Sequence, residues 1–217
     1  MLRMLLLVML LQELGTRAAP RDSAWVKRHE AFVVEAKKGG AELLLLGDSI
    51  TDAWRGQKAL WDERFAPLKA ANFGMSGDCT QHLLWRLRNG LLDGPRPKAV
   101  MLLIGTNNLG WGQQSVESAA AGVEALVDEL RGKTRILLLG VFPRGEKPDD
   151  PFRARIQDLN GRLAKLKHVS YLDLGPLFLS PDGTLSKELM PDFLHLSEKG
   201  YRVWADAVKQ PLDDLLR

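Results

Sequence analysis

The sequence predicts an α/β fold with a doubly wound parallel sheet. Short apolar runs alternate with segments of helical periodicity along the chain, which is the pattern of strands joined by crossover helices. Residues 43–46, 99–104 and 136–139 are apolar at every position, as expected for strands buried on both faces. The length of 217 residues fits one domain with a sizeable core, and no internal repeat or low-complexity linker indicates a second.

The first half of the chain contains three of the predicted strands. A helix is expected at residues 23–38, because Trp25, Phe32 and Val33 fall roughly on one face and Gly39-Gly40 ends it. The later elements of this half are a strand at 43–46, short helical turns at 54–65, a strand at 68–72, a helix from 80 to about 88 with Thr80 as N-cap, and a strand at 99–104.

The second half continues the alternation of helix and strand. An alanine-rich segment at 115–131 predicts a helix, and the run at 136–139 predicts the fourth strand. A helix at 152–167 and a weaker strand at 169–174 follow. The last helix is expected from about Ser197, with Pro211 interrupting it near its end.

Composition and charge exclude several classes of function. The net charge of +3 comes from scattered lysines and arginines without a basic block, so we expect no nucleic-acid partner. No run is long and apolar enough for an integral membrane span. The single cysteine, Cys79, excludes an internal disulfide and is interpreted as a small buried residue. The four histidines lack metal-ligand spacing, so neither a metal nor another cofactor is expected.

The N-terminal segment has the features of a targeting peptide. Arg3 provides a basic start, residues 4–11 form an apolar run, and Thr16-Arg17-Ala18 places small residues where a signal peptidase reads. We therefore predict a cleaved signal peptide at residues 1–19, export to the periplasm or outside the cell, and a catalytic domain at 22–217. The alternatives are an amphipathic leader or a misassigned start codon on a cytoplasmic protein.

Polar, glycine-containing turns follow three of the predicted strands. They are Gly47-Asp48-Ser49, the turn from Gly74 to Gly77, and Gly105-Thr106-Asn107. Because ligands bind beyond the carboxyl ends of strands in open parallel sheets, these turns are expected to form one site. The loop Asp192-Phe193-Leu194-His195 can join them and supply a base with its orienting carboxylate.

The residue types at this edge are those that acyl transfer requires. Ser49 is the predicted nucleophile, His195 the general base and acid, and Asp192 the group that orients the imidazole. The backbone N–H groups of Ser49 and Gly77 and the side-chain amide of Asn107 are the predicted oxyanion donors. Taken singly, each of these residues is more simply interpreted as a turn residue, a helix cap or a buried core histidine.

Two further residues are assigned to the substrate pocket. Asp48 precedes the predicted nucleophile, and Trp111 follows the Asn107 turn between Gly110 and Gly112, which places it at the pocket mouth. The serine does not lie in G-x-S-x-G, and neither phosphate-binding glycine motif, G-x-G-x-x-G or G-x-x-x-x-G-K-S/T, occurs.

Four blocks in order carry a family resemblance. Gly47-Asp48-Ser49-Ile50-Thr51, the Gly77 turn, Gly105-Thr106-Asn107-Asn108 and Asp192-Phe193-Leu194-His195 resemble the blocks of the SGNH hydrolases, also called GDSL-type esterases. The stretches at 72–78, 84–90, 143–148 and 192–196 are similar to the branch of intracellular platelet-activating factor acetylhydrolase catalytic subunits. The resemblance covers residue 23 to the C-terminus.

This resemblance implies a flavodoxin-like three-layer α/β/α sandwich and a metal-free serine esterase that forms homodimers. By position it assigns catalysis to Ser49, Asp192 and His195, and the oxyanion hole to Ser49, Gly77 and Asn107. The expected activity is hydrolysis of short-chain esters, above all acetyl esters, of a small molecule or glycan through an acyl-enzyme. The alternatives are a carbohydrate acetylesterase, a lysophospholipase, or a catalytically silent scaffold of the same fold.

Overall fold

A parallel sheet organises residues 14–217, the part of the chain that the computed structural model describes. Its strand order is β2-β1-β3-β4-β5, and every neighbouring pair is parallel. The strands are β1 Leu43–Gly47, β2 Ala70–Asn72, β3 Ala99–Leu103, β4 Arg135–Leu139 and β5 Ser170–Leu172. The predicted fold class is confirmed. The strand order reverses between β1 and β3, and ligands bind at such a switch point in folds of this class.

Helices connect the strands and cover both faces of the sheet. They are α1 Ser23–Lys38, α2 Ser49–Asp52, α3 Lys58–Arg64, α4 Thr80–Arg86, α5 Thr106–Leu109, α6 Val116–Leu130, α7 Pro151–Leu163 and α8 Glu198–Leu216. Short 3-10 turns occupy Ala53–Gly56, Ala66–Leu68 and Gly175–Phe178, and one π turn spans Leu87–Leu91. The first helix has the predicted bounds.

The alternation of side chains along the strands divides the core into two halves. Leu44 and Leu46 of β1 point to the face covered by α1, α4, α6 and α7. Leu43 and Leu45 point to the opposite face, where α8 and the turns after Ser49 pack. Because both faces are buried, β1 and β3 are apolar throughout, and this explains the uninterrupted runs in the sequence.

Two predicted helix features are wrong. Cys79 rather than Thr80 is the N-cap of α4. Thr80 is already engaged in the core, because its backbone N–H donates to Asn108 Oδ1 and its hydroxyl donates to the Gly15 carbonyl. Pro211 does not interrupt α8, which continues to Leu216. Leu212, just beyond the proline, is 1% exposed and packs into the core, and this packing holds the last turn in place.

The end of the predicted signal peptide packs against the fold. Residues 1–13 lie outside the described residues, whereas residues 14–19 are described. Gly15 donates its N–H to Ser118 Oγ at 2.9 Å and accepts the Thr80 hydroxyl at 2.9 Å. Ala19 N–H donates to the Gln81 carbonyl at 3.3 Å. Among residues 14–217, no helix combines the length and apolarity that a bilayer crossing requires.

The two-sided core predicts a large penalty for truncating a strand side chain. Leu45 is 0% exposed, so Leu45→Ala is expected to lower the free energy of unfolding by about 2–5 kcal/mol through lost burial and a residual cavity. Val34→Ala, at a side chain that is 59% exposed, is the control and is expected to change it by less than about 0.5 kcal/mol. Urea unfolding of both variants checks this, and similar losses in the two would contradict it.

Candidate active site

Hydrogen bonds connect three predicted residues, Ser49, His195 and Asp192, although Ser49 is far from the other two in sequence. Ser49 Oγ lies 3.0 Å from His195 Nε2, across 146 residues of sequence. His195 Nδ1 lies 2.7 Å from Asp192 Oδ2. Both distances are within the range of side-chain hydrogen bonds, and the order hydroxyl, imidazole, carboxylate is that of a serine hydrolase triad.

Asp192 holds both the backbone and the ring of the histidine. Its Oδ1 accepts the N–H groups of Leu194 and His195, at 3.0 and 2.7 Å, while its Oδ2 faces the ring. Burial raises the pKa of Asp192, but the hydrogen bonds from the His195 ring and from the two N–H groups outweigh it, so the pKa lies below its usual value. The group is therefore a carboxylate at neutral pH and favours the tautomer in which Nδ1 carries the proton.

The final helix carries the histidine loop to the end of β1. Ser197, the N-cap of α8, accepts the Gly200 N–H. In the first turn of the helix, the Tyr201 hydroxyl donates to the Ile50 carbonyl at 2.6 Å. Because Ile50 directly follows Ser49, this bond fixes the start of α8 relative to Ser49.

The turn after β2 brings Gly77 to the same edge of the sheet. Gly77 has a φ of +79°, a conformation that favours glycine. Met75 N–H donates to the Gly47 carbonyl at 3.0 Å, which docks the turn on the end of β1. Ser76 also donates its hydroxyl to Asp52 at 2.9 Å, in the helix that Ser49 begins. The turn is therefore tied to the segment that presents the nucleophile.

Asn107 reaches this turn from the end of β3. Its Nδ2 donates to the Asp78 carbonyl at 3.0 Å, which uses one of the two amide hydrogens and leaves the second for another acceptor. The backbone N–H groups of Ser49 and Gly77 donate to no protein acceptor within residues 14–217. The three predicted oxyanion donors thus each retain a hydrogen for a ligand.

A buried ion pair supports the Gly77 turn from below. Asp78 Oδ2 accepts from Arg86 Nη1 at 3.0 Å, with both side chains 0% exposed, and Asp78 Oδ1 accepts from Trp25 Nε1 at 2.7 Å. Burial raises the pKa of Asp78 to about 6, although Arg86 acts in the opposite direction. Leaving either charge unpaired in this interior would be strongly destabilising, so the pair fixes the turn geometry.

The structure buries the side chain of Asp48 in the turn that carries Ser49. Asp48 is 1% exposed, and its Oδ1 accepts the Ile50 N–H at 3.0 Å. Its Oδ2 is buried and has no hydrogen-bond partner among the described residues. The expectation that Asp48 contacts substrate therefore does not fit its position, whereas a role in shaping the turn does.

Trp111 and Arg144 border the site on the side of Asn107. Trp111 is 56% exposed and stacks on His82, with ring centroids 5.8 Å apart. Arg144 stacks over Phe152 at 4.1 Å, and burial lowers its pKa. Its guanidinium also interacts electrostatically with Asp192. The exposed position of Trp111 is compatible with a pocket mouth.

Sequence reasoning did not single out Tyr201 or Arg144 as parts of the site. Tyr201 lies about one helical turn after the histidine loop, and from there its hydroxyl bonds to Ile50 in α2. Arg144 lies in the 143–148 stretch that carries the family resemblance. Its separation in sequence from Ser49 and His195 did not indicate that it lies near the site. Contacts between loops of distant sequence cannot be read from local pattern.

The buried carboxyl of Asp48 predicts a pH-dependent stability. Burial, together with the charge of Asp78, raises its pKa to about 7, so between about pH 4 and 7 the folded state binds more protons than the unfolded state. The contribution of this group to the unfolding free energy therefore falls as pH rises, by at most about 1.4 kcal/mol per pH unit.

Asp48→Asn removes this titration, so its melting temperature relative to the native protein is expected to rise between pH 4 and 7 and to level off above. Asp62→Asn, at an exposed carboxylate in a surface ion pair, is the control for loss of a charge and is expected to change the melting temperature little. Thermal unfolding at a series of pH values measures both, and a constant difference for Asp48→Asn would contradict the assignment.

Comparisons with known proteins identify the family of the chain. The model of the GDSL-like Lipase/Acylhydrolase family matches residues 45–203. Platelet-activating factor acetylhydrolase IB subunit alpha1 from Homo sapiens is 40% identical over 184 residues, which cover 83% of this chain and 79% of that protein. Subunit alpha2 from Rattus norvegicus is 38% identical over 202 residues, covering 90% and 84%.

Solved structures share the fold at lower identity. A GDSL-like lipase from Bacteroides thetaiotaomicron superposes with a TM-score of 0.71 at 21% identity, covering 87% of this chain and 97% of that one. Axe2, an acetylxylan esterase from Geobacillus stearothermophilus, gives 0.64 at 19% identity, covering 82% and 94%. The family match and the identity to the acetylhydrolase subunits show that the chain belongs to the GDSL-like lipase/acylhydrolase family, the SGNH hydrolases, and is an ester hydrolase.

Proposed function

We propose that the chain is a serine esterase that removes a small acyl group, above all acetyl, from an alcohol through an acyl-enzyme on Ser49. The observation that carries this proposal is the chain of contacts from Ser49 Oγ to His195 Nε2, at 3.0 Å, and from His195 Nδ1 to Asp192, at 2.7 Å. A scaffold protein without activity has no need of this arrangement.

In the acylation step, Ser49 Oγ attacks the carbonyl carbon of the ester while its proton passes to His195 Nε2. The carboxylate of Asp192 stabilises the imidazolium that forms. The carbonyl oxygen becomes an oxyanion, and the N–H groups of Ser49 and Gly77 and the Asn107 amide are positioned to donate to it. When the tetrahedral intermediate collapses, His195 returns the proton to the leaving alcohol.

Deacylation repeats these steps with water as the nucleophile. His195 takes a proton from water, the hydroxide adds to the acyl carbon, and Ser49 leaves with the proton that the imidazolium returns. The products are a carboxylic acid and the free enzyme. The side chains of His195 and Asp192 are 42% and 56% exposed, so water reaches this side of the site.

Relatives and structural neighbours support a small acyl group. The 38–40% identical subunits are named for acetyl hydrolysis of platelet-activating factor, and one structural neighbour is named an acetylxylan esterase. Their alcohols differ, one a lipid and the other a polysaccharide, whereas the acetyl group is common to both names. We therefore propose acetyl esters as the substrate class, with lysophospholipids as the alternative that the second test below distinguishes.

Removing the nucleophile is the direct test of the mechanism. Ser49→Ala is expected to lower kcat for 4-nitrophenyl acetate by at least about 10⁴-fold, because no other group at the site can form the acyl-enzyme. The melting temperature is expected to stay nearly unchanged. The matched control is Ser23→Ala, at an exposed serine in the first turn of α1, which should retain native activity. Native kcat in Ser49→Ala would remove Ser49 from the mechanism.

A series of acyl chain lengths tests the substrate class. We expect kcat/KM on 4-nitrophenyl esters to fall steeply from acetate to butyrate and octanoate, since a site for acetyl excludes longer chains. Stopped assays on each ester with native protein, corrected for the rate of Ser49→Ala, give the profile. A flat or rising profile would instead indicate a lipase or lysophospholipase.

A further inference from the structure

The side chain of Arg21 lies directly on the peptide that carries one of the proposed oxyanion donors. Its Nη1 donates to the Ser76 carbonyl at 2.8 Å. The same nitrogen lies 2.7 Å from the position that a Cβ on Gly77 would occupy. A guanidinium therefore occupies the space beside this glycine, and a side chain at position 77 would have to displace it.

The geometry of a peptide bond connects this contact to catalysis. The Ser76 carbonyl and the Gly77 N–H belong to one planar, trans peptide unit, so they point in opposite directions. A donor that fixes the carbonyl on one side also fixes the direction of the N–H on the other. Because the donor is charged, it also polarises the unit and makes the N–H a stronger donor.

We infer that Arg21 is a positioning residue for the oxyanion hole, which it serves by orienting and polarising the Ser76–Gly77 peptide from behind. This inference rests on the proposed function, because it takes the Gly77 N–H as an oxyanion donor. Arg21 itself does not contact the reacting atoms. It acts only through the peptide unit to which it is bonded.

Arg21 is held from both sides along the chain. Asp22 caps α1 by accepting the Trp25 N–H at 3.0 Å, and the Trp25 indole donates to Asp78 at 2.7 Å, next to the Gly77 turn. On the other side, Ala19 bonds to Gln81 and Gly15 bonds to Ser118. The backbone near Arg21 is thus attached to the Gly77 turn through Trp25 and Asp78, and to α4 and α6 through Gln81 and Ser118.

The guanidinium is also confined at its far end. Its Cζ lies 5.9 Å from the centroid of the Trp111 ring, and its Nη1 lies 3.8 Å from Asp78 Oδ1. Asp78 does not depend on this ion pair, since Arg86 and Trp25 already bond to its two oxygens. The contact that only Arg21 provides is therefore the one to the Ser76 carbonyl.

Arg21→Met tests the inference, because methionine fills similar space without a charge or a donor. We expect kcat for 4-nitrophenyl acetate to fall about 10- to 100-fold with KM within twofold of native, since the oxyanion forms only in the transition state. Arg21→Lys, which keeps the charge, is expected to recover part of this loss. Lys27→Met removes one exposed positive charge nearby and is the matched control, expected to keep native kcat and KM.

A second measurement isolates the oxyanion hole from substrate binding. A methyl trifluoromethyl ketone adds to Ser49 Oγ, the hydroxyl proton passes to His195, and the resulting alkoxide occupies the oxyanion position. Its Ki is expected to rise in Arg21→Met by about the factor by which kcat/KM falls, while the Ki of a neutral product-like alcohol stays native.

Three outcomes would overturn the inference. Native kcat and KM in Arg21→Met would show that the carbonyl contact has no catalytic consequence. A raised KM with native kcat would make Arg21 a substrate-binding group. Equal losses in Arg21→Met and Arg21→Lys with a lowered melting temperature in both would assign it a packing role. If Arg21→Met does not fold, the kcat and Ki of Arg21→Lys decide by the same criteria. Failure of the proposed function itself is distinct, since it would appear as activity in Ser49→Ala.

Discussion

The site depends on the hydrogen bond between Ser49 and His195, two residues that 146 positions of sequence separate. Holding together two residues so far apart in sequence costs conformational entropy, so the contact requires rigid elements on both sides. On one side, β1 is fully buried between β2 and β3. On the other, α8 packs on the same core, and Tyr201 bonds to the residue after the nucleophile. The geometry of the Ser49–His195 contact therefore depends on the docking of this last helix.

A second set of buried polar groups holds the oxyanion side. Asp78 links α1, α4 and the Asn107 turn, because its side chain accepts from Trp25 and Arg86 while its carbonyl accepts from Asn107. The neighbouring Asn108 bonds to both the N–H and the hydroxyl of Thr80. In a low-dielectric interior such a network has one satisfied arrangement, so it determines where the oxyanion donors point. The Ser49–His195 contact and the Gly77 and Asn107 turns are therefore positioned by different parts of the core.

The strands, the helices and the contact between Ser49, His195 and Asp192 could be predicted, because each has a local signal. Continuous apolar runs identify buried strands, and polar turns at their ends identify the reactive edge. That Cys79 rather than Thr80 caps α4 could not be predicted, since the Thr80 hydroxyl that favours capping is engaged by Gly15, 65 residues away. Likewise, no local pattern indicated that the carboxyl of Asp48 is buried, or that Arg21 bonds to the Ser76 carbonyl next to Gly77. These depend on packing between segments of distant sequence.

The packing of α1 and the segment before it shows that the catalytic unit is larger than the region by which the family is recognised. That region begins at residue 45, within β1, whereas Trp25 and Arg28 bond to Asp78 and Asp52 from outside it. A fragment cut to the recognised borders would contain all the proposed site residues and still lack the contacts that Trp25 and Arg28 make with Asp78 and Asp52. Sequence surveys that compare only the shared blocks would consequently leave out the contacts that Trp25 and Arg28 make with this region.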